Sequence, residues 1–475
     1  MSERHITDRD RPTGIPGAIQ RCIVPTCGST FDTRERIYVC PRCSGPLEIQ
    51  CEFPTRAATG SLRKQWEARA ASSDPLDRSG VWRYRELLSF DAGAPVVTLF
   101  EGNTPLYDAP RSAEYSGLSH LRLKHLGCNP TGSFKDAGMT AAVTQAVVLG
   151  AQTVVCASTG NTAASLAAYA ARADLQCAII VPRGQITTAK LAQSMDYGAA
   201  VLEIEGNFDD AMRVVQDLAA DYSIYLANSI NPFRIEGQKT VAFELLQQCA
   251  WRMPSHVVVP GGNMGNSSAL AKGFDELRRL GLIDTLPKLH VVQAEGAAPL
   301  ARLFVEMAKA QPQDTASSLP DCITPVAHPQ TLATAIKIGA PVSWQKSLRG
   351  VLQSGGQVLA VSEQEIADAK AIIGRDGIGC EPASATTVAG IRRLVASKMI
   401  RHEESVVAVL TGHLLKDPDY VSHYHRDTLS LPSGGDDQAG AGEQIHGAFR
   451  NPPERVAASR DAILKSLDRR RRGSS

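Results

Sequence analysis

Aromatic side chains are scarce in this sequence, at 5% of residues, so the core has to be built from Ala, Val, Leu and Ile rather than from large rings. An excess of either charge is missing too: 50 Lys and Arg face 49 Asp and Glu. That balance lacks the basic footprint of a nucleic-acid binder and the polybasic face of a membrane-surface protein. No apolar run reaches the ~18 residues of a spanning helix. The opening, Met1 to Arg11, is polar and carries both signs, without the apolar centre of a secretory signal. No internal repeat is visible. These absences predict a soluble, cytoplasmic protein with neither a nucleic-acid nor a membrane partner. With 43% hydrophobic residues over 475 positions, the chain can bury a core and fill two or three domains.

Cysteine is present, at 11 residues, but not as an extracellular disulfide framework. Several sit in apolar runs such as Val154-Val155-Cys156 and Cys177-Ala178-Ile179-Ile180. Those are expected to be reduced and buried, acting as small hydrophobes. Four others cluster near the start, at Cys22, Cys27, Cys40 and Cys43.

The rest of the chain has a repeating grammar. A β-branched run, a Gly-rich turn and an Ala-rich stretch succeed one another from about Val81 to Tyr420. Thr153–Ala157 predicts a buried strand, Ser158–Asn161 a turn, Thr162–Arg172 a helix and Gln176–Val181 the next strand. That is a βαβ unit, so a parallel sheet covered by helices is expected. Strands are also expected at His256–Val259, Leu289–Val292 and Val406–Val409. Three units follow: a Cys-rich unit over residues 1–60, a catalytic body over 61–430 and a flexible linker and tail over 431–475. The linker is read from Pro432–Asp437 and Gly440–Gly442, and the basic run Arg469–Arg472 as a solvated end.

Chemistry concentrates in four turns. In Asn129–Asp136 a Pro/Gly turn delivers Lys135 to the opening of an Ala-rich helix. Positive potential there favours a neutral amine, the form that condenses with an aldehyde. The plainer alternative is a surface lysine at a helix start. Gly261–Ser268 follows a strand and precedes a helix, so its backbone N–H groups can converge on a phosphate. It lacks the Lys-Ser/Thr of a nucleotide loop and matches the dinucleotide fingerprint only loosely. Ser158–Thr162 is a second strand-to-helix turn, fit to bind an anion or simply to cap a helix. Asn228–Arg234 adds an arginine that could grip a phosphate or carboxylate, or form a surface ion pair.

Taken in order, these turns resemble the lysine, substrate and phosphate elements of the fold-type II pyridoxal-phosphate enzymes. Finer features resemble the threonine synthase family. They are Val81–Arg85, Glu101–Leu106, Asn228–Thr240, Pro329–Ile336, Glu381–Ala385 and Leu410–His413 with Leu415–Asp417. The resemblance implies a two-domain α/β fold like that of the tryptophan synthase β chain, with parallel and mixed twisted sheets. A smaller subdomain would span about 136–245. It implies pyridoxal 5'-phosphate held by Lys135 as a Schiff base, with the same lysine shuttling protons. Asn161 would meet the ring hydroxyl, Gly261, Gly262, Asn263, Met264 and Gly265 the cofactor phosphate, and Thr411 the pyridine nitrogen. A hydroxyl there leaves that nitrogen largely unprotonated and the electron sink weak. Thr162, Asn228, Ser229 and Arg234 would hold the phosphate of O-phosphohomoserine. The family reaction expels that phosphate from the γ-carbon and adds water at the β-carbon. A homodimer is implied as well. One departure is Leu414, where the family pattern has glycine after Gly412-His413. Related activities stay open: a dehydratase, a phosphoserine-using synthase, or an inactive cofactor-binding regulator.

The Cys22-x4-Cys27 and Cys40-x2-Cys43 pairs have zinc-ribbon spacing, with Gly28 and Gly45 just beyond. Four thiolates close a tetrahedral, structural zinc site. The alternative is four reduced thiols in a small β unit. Longer threonine synthases resemble this stretch too, while Cys51 lies outside the pattern. No basic patch with interleaved aromatics is present to suggest nucleic-acid binding.

Overall fold

The computed structural model describes residues 18–52, 59–183, 188–219, 223–309, 319–432 and 443–472. Residues 433–442 of the expected linker lie outside the described residues. After them the chain returns to the body: Glu443–Gln444 pairs antiparallel with Ser430–Leu431, and the His446 carbonyl accepts from Gln364 at 2.7 Å.

The Cys-rich unit is a three-stranded antiparallel sheet of β1 (Ile19–Cys22), β2 (Thr30–Asp32) and β3 (Leu47–Gln50), with β1 in the middle.

Two further sheets carry the body. The larger contains β4 (Leu106–Asp108), β5 (Leu121–His125), β10 (His256–Pro260), β11 (Lys288–Ala294), β12 (Val358–Val361) and β13 (Val406–Leu410). Their order is β12-β11-β10-β13-β5-β4. All pairings are parallel except that of edge strand β4 with β5. Strands β10 and β13 are buried at every position, as strands covered on both faces must be. The smaller sheet contains β6 (Thr153–Ala157), β7 (Gln176–Pro182), β8 (Ala200–Ile204) and β9 (Ile224–Leu226). Its order is β8-β7-β6-β9, parallel throughout. The Ala-rich helices Lys135–Val148 and Asn161–Arg172 pack on it, because small side chains let helix and sheet approach closely.

The helix Pro232–Gln248 packs between the helices Lys135–Val148 and Gly265–Arg279. Pro232 opens it, and the Asn231 side chain caps it by accepting from the Phe233 N–H at 3.0 Å. It is buried along nearly its whole length although it carries Arg234, Glu236, Lys239 and Glu244. Most of these charges are matched in place: Lys239 pairs with Glu236 at 2.7 Å and with Glu276 at 2.9 Å, and Glu244 pairs with the buried Lys124 of β5. One aromatic cluster forms around Phe243 near the helix's C-terminal end. Trp66 lies parallel to Phe243 at 6.1 Å and edge-on to Tyr84 at 5.1 Å.

The Cys-rich unit touches both halves of the body. Arg36 donates to the carbonyls of Leu149 and Ile224, and the Tyr38 hydroxyl accepts from the Leu226 N–H at 2.8 Å, all on the small-sheet side. On the other side Lys346 and Lys272 each donate to a β3 carbonyl, those of Leu47 and Ile49, at 2.5 Å. A cavity of about 390 Å³ lies in this second seam. Of its lining cations, Arg349 pairs with Glu48 and Lys272 with Glu236, and Lys135 is not part of its wall.

Candidate active site

Lys135 begins its helix, and the turn before it is stitched to the end of β13. The Phe134 N–H donates to the Thr411 carbonyl at 2.9 Å, and the His413 N–H to the Gly132 carbonyl at 2.9 Å. Gly132 has φ +84°, a left-handed turn that glycine adopts without strain. The Asp136 carboxylate locks the turn from inside, accepting from the Thr131 N–H, the Thr131 hydroxyl and the Ser165 hydroxyl at 2.6–2.7 Å. The amine of Lys135 sits 4.1 Å from the centre of the Phe134 ring. Its pKa is lowered to about 7, first by burial and then by the Arg234 charge, against an opposing pull from Glu381. From sequence the neutral amine is expected because of the helix start; in the structure burial comes first.

Asn161 and Thr411 converge on one carboxylate. Asn161 Nδ2 donates to Glu381 Oε2 at 2.9 Å, and the Thr411 hydroxyl to Glu381 Oε1 at 3.0 Å. Glu381 is 1% exposed. A Cβ on Gly412 would lie 2.3 Å from that carboxylate's carbon, so glycine is required beside it.

The loop after β10 is held open by side chains. Asn263 accepts from the Val342 N–H at 2.6 Å and donates to the Ser229 hydroxyl at 2.6 Å. Met264 is left-handed (φ 64°), which aims the start of the helix Gly265–Arg279. A Cβ on Gly261 would meet Val291 at 2.6 Å, so the backbone there approaches β11 as only glycine can. Around this loop buried polar atoms lack partners within the protein: both amide atoms of Asn266 and Oε1 of Gln238. Unsatisfied buried groups are costly, and a phosphate-bearing ligand among them would supply acceptors for their N–H groups. The residues therefore fit pyridoxal phosphate.

Arg234 is 3% exposed, and its Nη1 donates to the Ala227 carbonyl at 3.2 Å. Among the described residues it has no ion-pair partner. Burial lowers its pKa to about 10. Asn228 differs: its amide grips both main-chain groups of Ala157 at 3.0 Å, fixing the end of β6. Ser229 lies at the glycine loop through Asn263, and Thr162 is half-buried in the first turn of the helix Asn161–Arg172. Leu414 packs on Gly379, where a Cβ would come within 2.8 Å of it. Its bulk is thus accommodated against that glycine.

Sequence reasoning assigns no role to four residues of this region: Glu381, Ser384, Asn266 and Gln238. Glu381 and Ser384 stand within the family-like stretch Glu381–Ala385, and Asn266 lies in the glycine loop, so a signal is present for those three. Gln238 shows only as a polar position inside a helix that turns out to be buried.

Among the Cys-rich residues, the four sulfurs of Cys22, Cys27, Cys40 and Cys43 lie within 4.8 Å of one another, with Cys22–Cys43 at 3.4 Å and Cys27–Cys40 at 3.7 Å. Zinc–sulfur bonds of about 2.3 Å at tetrahedral angles put sulfurs roughly 3.8 Å apart, so the donor set fits zinc. A Cβ on Gly45 would press on both Cys22 and Cys43 sulfurs at 3.2 Å.

A sequence profile described as pyridoxal-phosphate dependent enzyme matches residues 97–412. The threonine synthase of Methanocaldococcus jannaschii is 45% identical over 405 residues, spanning 84% of this chain and 93% of that protein. The threonine synthase of Mycobacterium tuberculosis is 44% identical over 338 residues, spanning 71% and 88%. Among solved structures, maize serine racemase superposes with a TM-score of 0.56 at 18% identity, over 77% of this chain and 97% of that one. Threonine deaminase isoform 2 from Solanum lycopersicum gives 0.55 at 17% identity, over 76% and 91%. At such identities these two structures speak for the fold alone, and the fold is the fold-type II architecture that the resemblance implies.

Proposed function

Since the chain belongs to the pyridoxal-phosphate dependent enzyme family and, within it, to the threonine synthases, we propose that its substrate is O-phospho-L-homoserine, which it converts with water to L-threonine and phosphate. Bound pyridoxal phosphate supplies the electron sink for charge developing beside the substrate's amino group. The protein's groups do the rest. Lys135 is the anchor for the cofactor aldehyde and, with an amine balanced near neutrality, can take a proton from a substrate carbon and return it. Gly261 to Gly265, with Asn266, receive the cofactor phosphate. Asn161 and Thr411 orient the ring.

The observation that carries the substrate assignment is Arg234: a buried guanidinium with an unpartnered Nε and no ion-pair partner among the described residues. Such a group calls for an anion. The cofactor phosphate already has the glycine loop, so Arg234 is left for the substrate's phosphate, and Ser229 and Thr162 are assigned to the same phosphate. Asn228 serves by holding the turn that presents them. Arg234 then steadies the negative charge that grows on the departing phosphate, while burial keeps bulk water from competing for it. This argues against the dehydratase alternative, whose substrate carries no phosphate. The presence of both Lys135 and the Gly261–Gly265 loop argues against an inactive regulator.

The same proposal includes a structural zinc on Cys22, Cys27, Cys40 and Cys43, a homodimer, a cytoplasmic setting and domain limits near 1–60, 61–430 and 431–475, with a smaller subdomain at about 136–245. Among the described residues, no helix is long and apolar enough to cross a membrane. A phosphate-release assay decides the substrate. O-phosphohomoserine should be turned over well above O-phosphoserine, with threonine appearing in step with phosphate. Faster turnover of O-phosphoserine, or of threonine to a keto acid, would reject the assignment.

A further inference from the structure

The cavity of about 390 Å³ between the Cys-rich unit and the body has an unevenly charged wall. Five cationic side chains line it against three carboxylates. Each carboxylate is already held. Glu48 pairs with Arg349 at 2.7 Å, Asp275 with Arg278 at 2.7 Å, and Glu276 with Lys239 at 2.9 Å. Arg278 and Lys239 stand outside the wall, so two of the three carboxylates are neutralised without using up its own cations. Lys272 is matched by the buried Glu236. Lys346 and Arg21 are not matched: among the described residues neither has an ion-pair partner. Arg279 adds a further positive charge.

Lys346, in the helix Trp344–Ser354, is 8% exposed, and its Nζ makes one hydrogen bond, to the Leu47 carbonyl at 2.5 Å. An ammonium has three hydrogens to give, so the others are left without an acceptor in the protein. Arg21 on β1 is exposed and reaches only the Gln50 side chain, at 3.4 Å. A buried ammonium without a paired carboxylate is costly, and an anion brought from outside removes that cost. At ~30 Å³ per water the space equals roughly a dozen waters, more than a lone inorganic ion fills and enough for a small metabolite.

We propose that this seam is a binding site for a small organic anion, carrying carboxylate or phosphate groups, which Lys346 holds from the body and Arg21 from the Cys-rich unit. Its occupant would bridge the two units where main-chain carbonyls alone now join them to Lys272 and Lys346. Protonation supplies a signature. Burial first lowers the pKa of Lys346 to about 8; Lys272 and Arg349 push the same way, and Glu48 and Glu236 the other. An anion against the amine raises its affinity for a proton, so binding just above that pH takes up protons. Cys51 in the same wall is pushed up to about 11 by burial and stays protonated there. Ile235 of the wall follows Arg234 in the chain, so the test has to separate this anion from one in the active site.

The test is calorimetric titration of the holoenzyme with citrate and, separately, with pyrophosphate. At least one of them should bind. Lys346→Met should weaken that binding about tenfold or more, the scale of one charged hydrogen-bonded contact, and Arg21→Gln should weaken it measurably. Arg234→Ala, which acts on the active site, should leave it unchanged. Heats compared between buffers of different ionisation enthalpy just above pH 8 should show proton uptake in wild type and none in Lys346→Met, which a merely structural lysine would not produce. Absence of binding by both anions overturns the proposal. So does binding that Arg234→Ala abolishes, in which case the anion sits in the substrate site and the reading of Arg234 stands. Binding indifferent to Lys346→Met overturns it as well. Should Lys346→Met fail to fold, Arg21→Gln and the wild-type proton uptake decide, and both effects are required.

Discussion

At Lys135 two cationic side chains share one buried site, and only one of them gives up its proton near neutral pH. Arg234 keeps its charge, with a pKa still near 10, and Lys135 yields, at about 7. Replacing Lys135 with alanine should therefore abolish any borohydride-reducible link to the cofactor and the absorbance that goes with it. A variant that retained the link would point to another lysine. Arg234→Ala should weaken kcat/KM for O-phosphohomoserine by about 1.5–3 kcal/mol, the scale of one charged hydrogen-bonded contact, and leave cofactor absorbance in place. Steady-state kinetics beside a cofactor titration checks this; loss of cofactor without selective loss of turnover would mean that the two phosphate sites are exchanged. Lys135 is legible in the sequence because a Pro/Gly turn and an Ala-rich run announce a lysine at a helix start. The convergence on Glu381 is not legible there. It depends on Asn161, 220 positions earlier, and on Thr411, 30 positions later, and nothing in the local pattern joins them.

Strands β10 and β11 carry a pair of histidines whose protons run in one direction. The Gln357 N–H donates to His290 Nδ1 at 3.1 Å, so neutral His290 holds its hydrogen on Nε2, which faces His256 Nδ1 at 2.9 Å. A second proton on His290 would set N–H against N–H. Burial first, and then the neighbouring His256, lowers the pKa of His290 to about 3 from 6.5. The unfolded chain binds that proton more readily, so this contribution is complete above pH 6.5 and is lost as pH falls toward 3. The loss is about 1.4 kcal/mol per pH unit inside that window. Asp136 acts oppositely in the same range, since burial raises its pKa to about 6 from 3.8. The quantity to measure is thus the difference in unfolding free energy between wild type and His290→Gln, which should shrink on acidification; a constant difference would refute it. Strand β10 is readable as an unbroken apolar run. Strand β5 is not, because Lys124 looks like a surface position. It is buried because Glu244, Gln248 and the Thr104 carbonyl receive it, the first two from more than a hundred residues away.

Over the whole molecule, the alternation of β-branched runs and Ala-rich stretches announces the α/β body, and the cysteine spacing announces a separate unit. The way the unit sits on the body is hidden, because main-chain carbonyls do the joining and every residue has one. Elemental analysis should find one zinc per chain, lowered in Cys40→Ser. Removing it should reduce thermal stability more than turnover, since closed zinc sites act through folding. Metal-free protein of undiminished stability would leave four plain thiols instead. The joint also bears on how such a unit can be exchanged between proteins. Lys272 and Lys346 find their acceptors at Ile49 and Leu47, while Arg36 and Tyr38 reach the opposite half. A ribbon transplanted from elsewhere could bring its metal, its fold and its β3 carbonyls and still lack the Arg36 and Tyr38 side chains that hold the other half. The unit is therefore not a cassette: the connections between its strands carry both the cysteine cluster and the side chains that fasten it, so it has to be inherited together with the body.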